Sequence, residues 1–514
     1  MKAPVKPVVL CILDGVGEGD KGPGDAVFLA HTPNLDRLRA DYPSMLLKAH
    51  GTAVGLPSDK DMGNSEVGHN ALGAGRVFDQ GAKLVDNALE SGAIFGETWS
   101  WLKQSGTLHL LGLVSDGNVH SHLDHLLALV ARARTEGVQR LRVHVLTDGR
   151  DVGERSAPGF IAALETALEG DEDEDYAIAS GGGRMNLTMD RYEADWSMVD
   201  RGWQCHVHGQ GRAFSSAGEA IRTFYSEDAE LTDQYLPAFV IEGVDGGIRD
   251  GDGVLLFNFR GDRALEISRA FEGREVGFDI GPRPQVRYAG LMQYDGDESI
   301  PYRYLVEPPA IDGTVGQVLA EAGLGTFAIS ETQKYGHVTF FFNGNRSGFI
   351  DEALERYQEV TSDVIPFDQA PAMKANEVTD AVVAAIEQGG VSHIRLNLAN
   401  GDMVGHTGDI EATKTALTVV DACVGRLAAA VVEHGGILLV TADHGNADDM
   451  LQKDGSPKTS HSLNPVPFVL VDPSGSWRLA STDAPGLANV AATVLVLCGA
   501  EPPANYLPAL VEKA

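Results

Sequence analysis

Cysteine is scarce: four residues in 514 (Cys11, Cys205, Cys423 and Cys498), with no CxxC pair among them. Spaced this widely they read as reduced thiols, which excludes a disulfide framework and a zinc knuckle. Long apolar runs are lacking too. The amino-terminal run Val8–Leu13 stops at Asp14, too short for a signal-peptide core and without a cleavage site. No stretch is expected to reach the roughly 18 apolar residues of a membrane helix. The expectation is a cytoplasmic chain with no membrane partner. Positive charge is the third shortage. Lys and Arg total 40 against 73 Asp and Glu, a formal charge of −33. Such a surface repels nucleic acid and anionic membranes, and also phosphorylated metabolites unless cations are concentrated at one place. Hydrophobic residues at 43% and charged residues at 22% exclude disorder. At about 150 residues per domain the length suggests roughly three domains, and two large α/β domains fit equally well.

Short β-branched runs alternate with helical patterns. The expected strands are 8–14, 108–116, 141–148, 253–260, 286–295, 326–331, 337–343, 394–400, 437–443 and 467–472. The expected helices include His122–Glu136, Ala157–Leu168, Glu377–Gln388, Ala412–Glu433 and Leu487–Leu497, with Ser216 and Glu219 as a capping box at the head of another. Alternation of this kind predicts parallel sheets covered on both faces. The acidic run Glu169–Asp175 reads as a solvated loop, and Val306–Ala310 as a linker. Several strands end in an acid or amide beside glycine, at Asp14-Gly15, Asp116-Gly117, Asp148-Gly149, Asn400-Gly401-Asp402 and Asp443-His444-Gly445. Ligands of open α/β sheets bind at those carboxyl ends. For Asp116 and Asp148 a simple turn is an equal alternative.

Gly17, Gly19 and Gly22 match a dinucleotide fingerprint, but Asp14 interrupts the strand-to-loop passage and Pro23 follows, so no nucleotide site is expected there. A dispersed set of metal-ligand types carries more. Asp14, Asp402 and Asp443 with His406, His444 and His461 lie at or near strand ends. Their mixed oxygen and nitrogen donors suit Mn²⁺ or Zn²⁺ and suit Mg²⁺ less well. Six ligands exceed one tetrahedral site with an open position, so two divalent ions are the natural number. Ser65 lies among small residues at the expected start of a helix, where backbone N–H groups can approach a phosphoryl group. A serine there becomes a nucleophile through metal coordination; a glycine-rich packing turn is the alternative. Arg150 and Asp151, Arg184, Arg191, Arg260, Arg263 and Lys334 are candidates for carboxylate and phosphate recognition, against the alternative of ordinary surface ion pairs. His120 or His122 could act as acid or base.

The segments ILDGVG, MGNSEVGHNALGAGR, SDGNVHSH, DGRD, NFRGDR, ETQKYGHVTFFFNG, NGDMVGHTG, TADHGNAD and HSLNPVPF follow one another in this order. Together they resemble the cofactor-independent phosphoglycerate mutases from Val8 almost to the carboxyl terminus. The resemblance implies an α/β, alkaline-phosphatase-like metal domain (1–78 and 309–514) with a second α/β domain (79–308) inserted. It implies two divalent ions, Mn²⁺ foremost with Mg²⁺, Co²⁺ or Zn²⁺ as alternatives. Asp402, His406 and His461 would hold one, and Asp14, Ser65, Asp443 and His444 the other. Ser65 would become phosphorylated, while His120 (preferred to His122), Arg150, Asp151, Arg184, Arg191, Arg260, Arg263 and Lys334 would contact 3-phosphoglycerate or 2-phosphoglycerate. A monomer is expected. One departure touches Arg184 and Arg191: the family's GRYYAMDR is replaced by Gly183-Arg-Met-Asn-Leu-Thr-Met-Asp-Arg191, one residue longer. Another phosphatase or phosphomutase of the alkaline phosphatase superfamily, and a non-catalytic metal- or metabolite-binding protein, are the competing readings.

Overall fold

Strand Val8–Leu13 is buried at all six positions, the pattern of a parallel strand covered on both faces. In the computed structural model, which describes residues 7–56, 58–170, 174–191, 194–295, 299–307 and 311–514, it lies in the middle of a seven-stranded sheet. The order is Glu355–Val360, Thr326–Glu331, His393–Leu398, Val8–Leu13, Ile437–Thr441, Val466–Val471 and Ser44–Leu47. The first five run parallel; Val466–Val471 runs against Ile437–Thr441, and Ser44–Leu47 against it in turn. Register places Leu13 beside Leu398 and Ile12 beside Thr441, so the residues that follow these strands emerge at one edge. This sheet belongs to the compact unit Met1–Gln80 with Ala310–Ala514.

The other unit, Gly81–Pro309, is built on an eight-stranded sheet. Its order is Tyr304–Val306, Arg287–Met292, Gly253–Leu256, Leu108–Leu113, Arg140–Thr147, Asp175–Gly183, Phe239–Ile241 and Arg212–Phe214. All neighbours are parallel except Asp175–Gly183 with Phe239–Ile241. Side chains alternate between two cores: Leu108, Leu110, Val143 and Val145 face one, and Leu111, Leu113, Leu146 and Leu256 the other.

Most expected elements form, and four expectations need correction. The run 337–343 is not a strand. His337–Phe341 continues the helical turn Thr332–Gly336, because an apolar run this short suits either period and its packing chooses the helix. Strands Asp175–Gly183 and Glu355–Val360 were not foreseen. The first ends in three glycines, where a Cβ on Gly183 would stand 2.2 Å from Gln234 O; the second is a polar edge strand. The capping box at Ser216 is only half formed: Ser216 accepts from the Glu219 amide, but the Glu219 carboxylate turns to Ser215. The fourth concerns apolar runs: helix Ile410–Glu433 is long and apolar enough to cross a membrane by composition. It packs instead on helices Ala375–Gln388 and Pro33–Asp41, burying Leu417, Val420, Val424, Leu427 and Val431. Within the expected loop 169–175 and linker 306–310, residues 171–173 and 308–310 lie outside the described residues.

The glycines of the false nucleotide fingerprint pack against protein. A Cβ on Gly17 would meet the Asp448 carboxylate at 2.4 Å, and one on Gly19 the Asp448 carbonyl at 2.3 Å.

Candidate active site

Asn64 caps helix Ser65–Ala74, its side chain accepting from the Val67 amide, so Ser65 is the first helical residue. The Ser65 hydroxyl is 2.9 Å from His444 Nε2, 3.3 Å from Asp14 Oδ1 and 2.5 Å from Lys334 Nζ. Lys334 also donates to Asp14 Oδ1 at 2.8 Å and to Asp402 Oδ2 at 2.7 Å. Asp14 and Asp443 follow the adjacent strands Val8–Leu13 and Ile437–Thr441, and Asp402 lies in the first turns after His393–Leu398.

Two groups of converging ligand atoms result. One joins Asp402, His444 and His461, the other Asp14, Asp443 and His444. His406 joins the first, with Nε2 3.0 Å from Asp402 Oδ1 and 3.1 Å from His461 Nε2. Each imidazole gives its other nitrogen to a backbone carbonyl: His461 to Gly63 at 2.8 Å, His406 to Thr459 at 2.7 Å, His444 to Gly445 at 3.2 Å. A carbonyl only accepts, so each Nδ1 carries a proton and each Nε2 faces inward as the nitrogen left for a ligand role. Asp443 Oδ2 is buried and takes no hydrogen bond. Imidazole nitrogens and carboxylates converging on one another fit divalent cations in both groups.

The local field says the same. Burial alone would lower His444, yet Asp443, ahead of Asp14 and Asp402, lifts it to about 9. Burial would raise Asp402 and Asp443, but His406 and Lys334 hold the first well below the usual carboxylate range, and His444 depresses the second. Beyond these two groups, the amide of Asn397 holds Asp14 Oδ2 at 2.6 Å and that of Asn446 holds Asp402 Oδ1 at 3.0 Å. His69 Nδ1 donates to Ser65 O at 2.7 Å and stands 3.3 Å from Asp443 Oδ2. None of these three was singled out from sequence. An amide inside the apolar strand His393–Leu398 was the available signal for Asn397.

The second unit holds the arginines. Arg184 is fully buried and donates to Asp148 Oδ1 at 2.7 Å and to Asp151. Arg260 Nε lies 3.0 Å and His120 Nδ1 3.6 Å from Asp262 Oδ1, Arg191 lies 3.5 Å from Asp262 Oδ2, and Arg263 donates to Met189 O at 2.6 Å. Burial, with Arg191, Arg150 and Arg184 nearby, lowers Arg263 well below its ordinary value; burial and Arg184 do the same to His120 and keep it neutral. Arg150, Arg184 and Arg191 all lie close enough to act on Arg263, a concentration of positive charge that suits an anion. Asp262 was missed, and Asp148, left open as a turn, is the carboxylate that holds Arg184. His122 instead caps helix Leu123–Thr135. Lys334, grouped with the arginines from sequence, is in the first unit beside Ser65.

Fold and site together define a metalloenzyme: the family model of the metalloenzyme superfamily matches residues 6–502. The chain is 54% identical to a probable 2,3-bisphosphoglycerate-independent phosphoglycerate mutase of Leptospira interrogans over 99% of this chain and 97% of that one. It is 50% identical to the enzyme of that name from Zea mays, over 99% and 96%. Crystallised Leishmania mexicana phosphoglycerate mutase, studied at low cobalt concentration, superposes with a TM-score of 0.96 at 47% identity, covering 100% of this chain and 99% of that one. The chain belongs to the 2,3-bisphosphoglycerate-independent phosphoglycerate mutase family.

Proposed function

We propose that this isomerase interconverts 3-phosphoglycerate and 2-phosphoglycerate through a phosphoserine on Ser65, without bisphosphoglycerate, as a cytoplasmic monomer. The observation that carries the mechanism is the convergence on the Ser65 hydroxyl of Lys334, His444 and Asp14 beside two groups of metal-ligand atoms. Asp402, His406 and His461 would hold one divalent ion, and Asp14, Ser65, Asp443 and His444 the other. Mn²⁺ is expected, with Mg²⁺, Co²⁺ or Zn²⁺ as alternatives; bound there, the ions supply charge that acidifies the serine and offsets the phosphoryl oxygens.

Ser65 Oγ gives up its proton as it attacks phosphorus, the bond from phosphorus to the glycerate 3-oxygen breaks, and that oxygen takes up one proton, so the half-reaction balances. Lys334 balances negative charge where bonds to phosphorus form and break. Arg150, Arg184, Arg191, Arg260 and Arg263 bind the carboxylate and phosphate and retain glycerate while it turns. The 2-hydroxyl then attacks phosphoserine, yielding its proton to His120 or Asp151, while the bond from phosphorus to Ser65 Oγ breaks and Ser65 Oγ regains a proton. His120, held neutral by burial and by Arg184, suits the accepting role.

The test is conversion of 3-phosphoglycerate to 2-phosphoglycerate with Mn²⁺ and no bisphosphoglycerate. Ser65→Ala should leave less than about 1% of turnover while metal content persists. Absence of isomerisation by the parent would overturn the proposal, and release of free phosphate would favour a phosphatase of the same superfamily.

A further inference from the structure

Six buried side chains of the second unit form one hydrogen-bonded line that the reaction above leaves unused. Asp252 Oδ2 is 3.3 Å from His109 Nε2, His109 Nδ1 is 2.9 Å from His144 Nε2, and His144 Nδ1 is 2.7 Å from Ser180 Oγ. The line leaves the sheet there, with Ser180 Oγ 2.8 Å from His206 Nδ1 and His206 Nε2 3.2 Å from Thr188 Oγ1. Asp252 is 8% exposed and the other five at most 2%.

The protons along this line can be assigned. Asp252 is held below the ordinary carboxylate value against the burial that would raise it, with His109 the chief cause, so it is ionised and only accepts. His109 must then donate from Nε2 and accept at Nδ1, which makes His144 donate from Nε2. Ser180 donates to His144 Nδ1 and accepts from His206 Nδ1, so Thr188 donates to His206 Nε2. Each imidazole is neutral, as burial requires: His109 and His144 are pushed below their ordinary value and His206 down to about 3. A β-bulge completes the line. Register shifts between Val143 and His144, so that Ile178 pairs with the first and Ser180 with the second, making Ala179 the extra residue. An unbroken ladder would set Ala179 opposite His144.

At the far end Thr188 has φ +69°, a left-handed conformation that costs a β-branched residue energy. Two bonds hold it there: its amide donates to Met198 O at 2.9 Å, and its hydroxyl to His206. Gly202 permits that approach, since a Cβ would meet Thr188 Oγ1 at 2.1 Å. The carbonyl of the next residue, Met189, receives Arg263 at 2.6 Å, and Arg184 and Arg191 flank the segment. This is also where the sequence departs from the family pattern.

We propose that the line from Asp252 to His206 is a brace that fixes Thr188 in its left-handed conformation, making Thr188 and His206 positioning residues for Arg184, Arg191 and Arg263 and hence for binding of the phosphorylated substrate. The proposal rests on the reading that these arginines bind substrate. Thr188→Val removes the hydroxyl at nearly constant volume and leaves His206 Nε2 unpaired; Thr188→Ser keeps the bond. Thr188→Val should raise KM for 3-phosphoglycerate about tenfold with much less effect on kcat, while Thr188→Ser stays within about twofold of the parent. A merely structural role would lower thermal stability and leave KM alone. Equal KM for the valine and serine variants overturns the brace; if Thr188→Val does not fold, Thr188→Ala takes its place in the same comparison. Arg191→Gln separates the two ideas: an unchanged KM there refutes the substrate reading, whereas a raised KM there with no effect at Thr188 refutes the brace alone.

Discussion

A histidine that gives one nitrogen to a backbone carbonyl has only the other left for chemistry, and His406, His444 and His461 all do this. Their residue types and positions near strand ends were legible in the sequence; the carbonyl partners were not, because they depend on loop paths that no spacing encodes. The same holds for Asn397 and Asn446, which hold the Asp14 and Asp402 carboxylates without being ligand types of the expected set. Such supporting bonds orient ligands, and their loss typically costs about 10- to 100-fold in metal affinity. Asn446→Ala should therefore weaken metal binding by about that factor, read by titrating chelator-treated protein with Mn²⁺, with activity recovering at high metal concentration. Unchanged affinity would show that the Asn446 bond to Asp402 does not orient the ligand.

At the scale of elements, hydrophobic period located most of the strands and helices, and failed where tertiary packing outweighs local preference. His337–Phe341 carries a β-like composition yet forms a helical turn against helix Ser65–Ala74, with Val338 and Phe342 fully buried. The two elements approach so closely that a Cβ on Gly73 would stand 1.9 Å from the Phe342 carbonyl. Glycine is needed here for space, since backbone cannot yield as a side-chain tip can. Gly73→Ala should therefore lower stability by about 1–3 kcal/mol, measured as a fall in the denaturation midpoint. It should also reduce turnover, because the displaced helix carries Ser65 at its first position. A stable, fully active Gly73→Ala protein would mean that the turn at 337–341 shifts freely.

For the whole molecule, the charge of −33 was a poor guide to the interior. It could not reveal that cationic side chains gather around His120 or that neutral imidazoles are sealed in both units. His206 in one unit and His393 in the other are each pushed down to about 3, His206 by burial and His393 by burial with Arg395 beside it. For a histidine of ordinary value near 6.5, a depressed folded value means that the unfolded chain takes up the proton first. The stability contributed is complete above about pH 6.5 and is lost as pH falls toward 3, by about 1.4 kcal/mol per pH unit for each such group. Most carboxylates stay ionised until about pH 4.5, so between pH 6.5 and 5 relief of acidic self-repulsion is too small to compensate. His393 donates Nδ1 to Val8 O at 3.1 Å, a bond that a glutamine amide can replace without titrating. His393→Gln should therefore be less stable than the parent at pH 7, with the gap narrowing steadily toward pH 5. Taking the difference between the two proteins at each pH cancels any metal loss common to both. A gap that stays constant over that range would show that His393 is already protonated in the folded chain or stays neutral in the unfolded one.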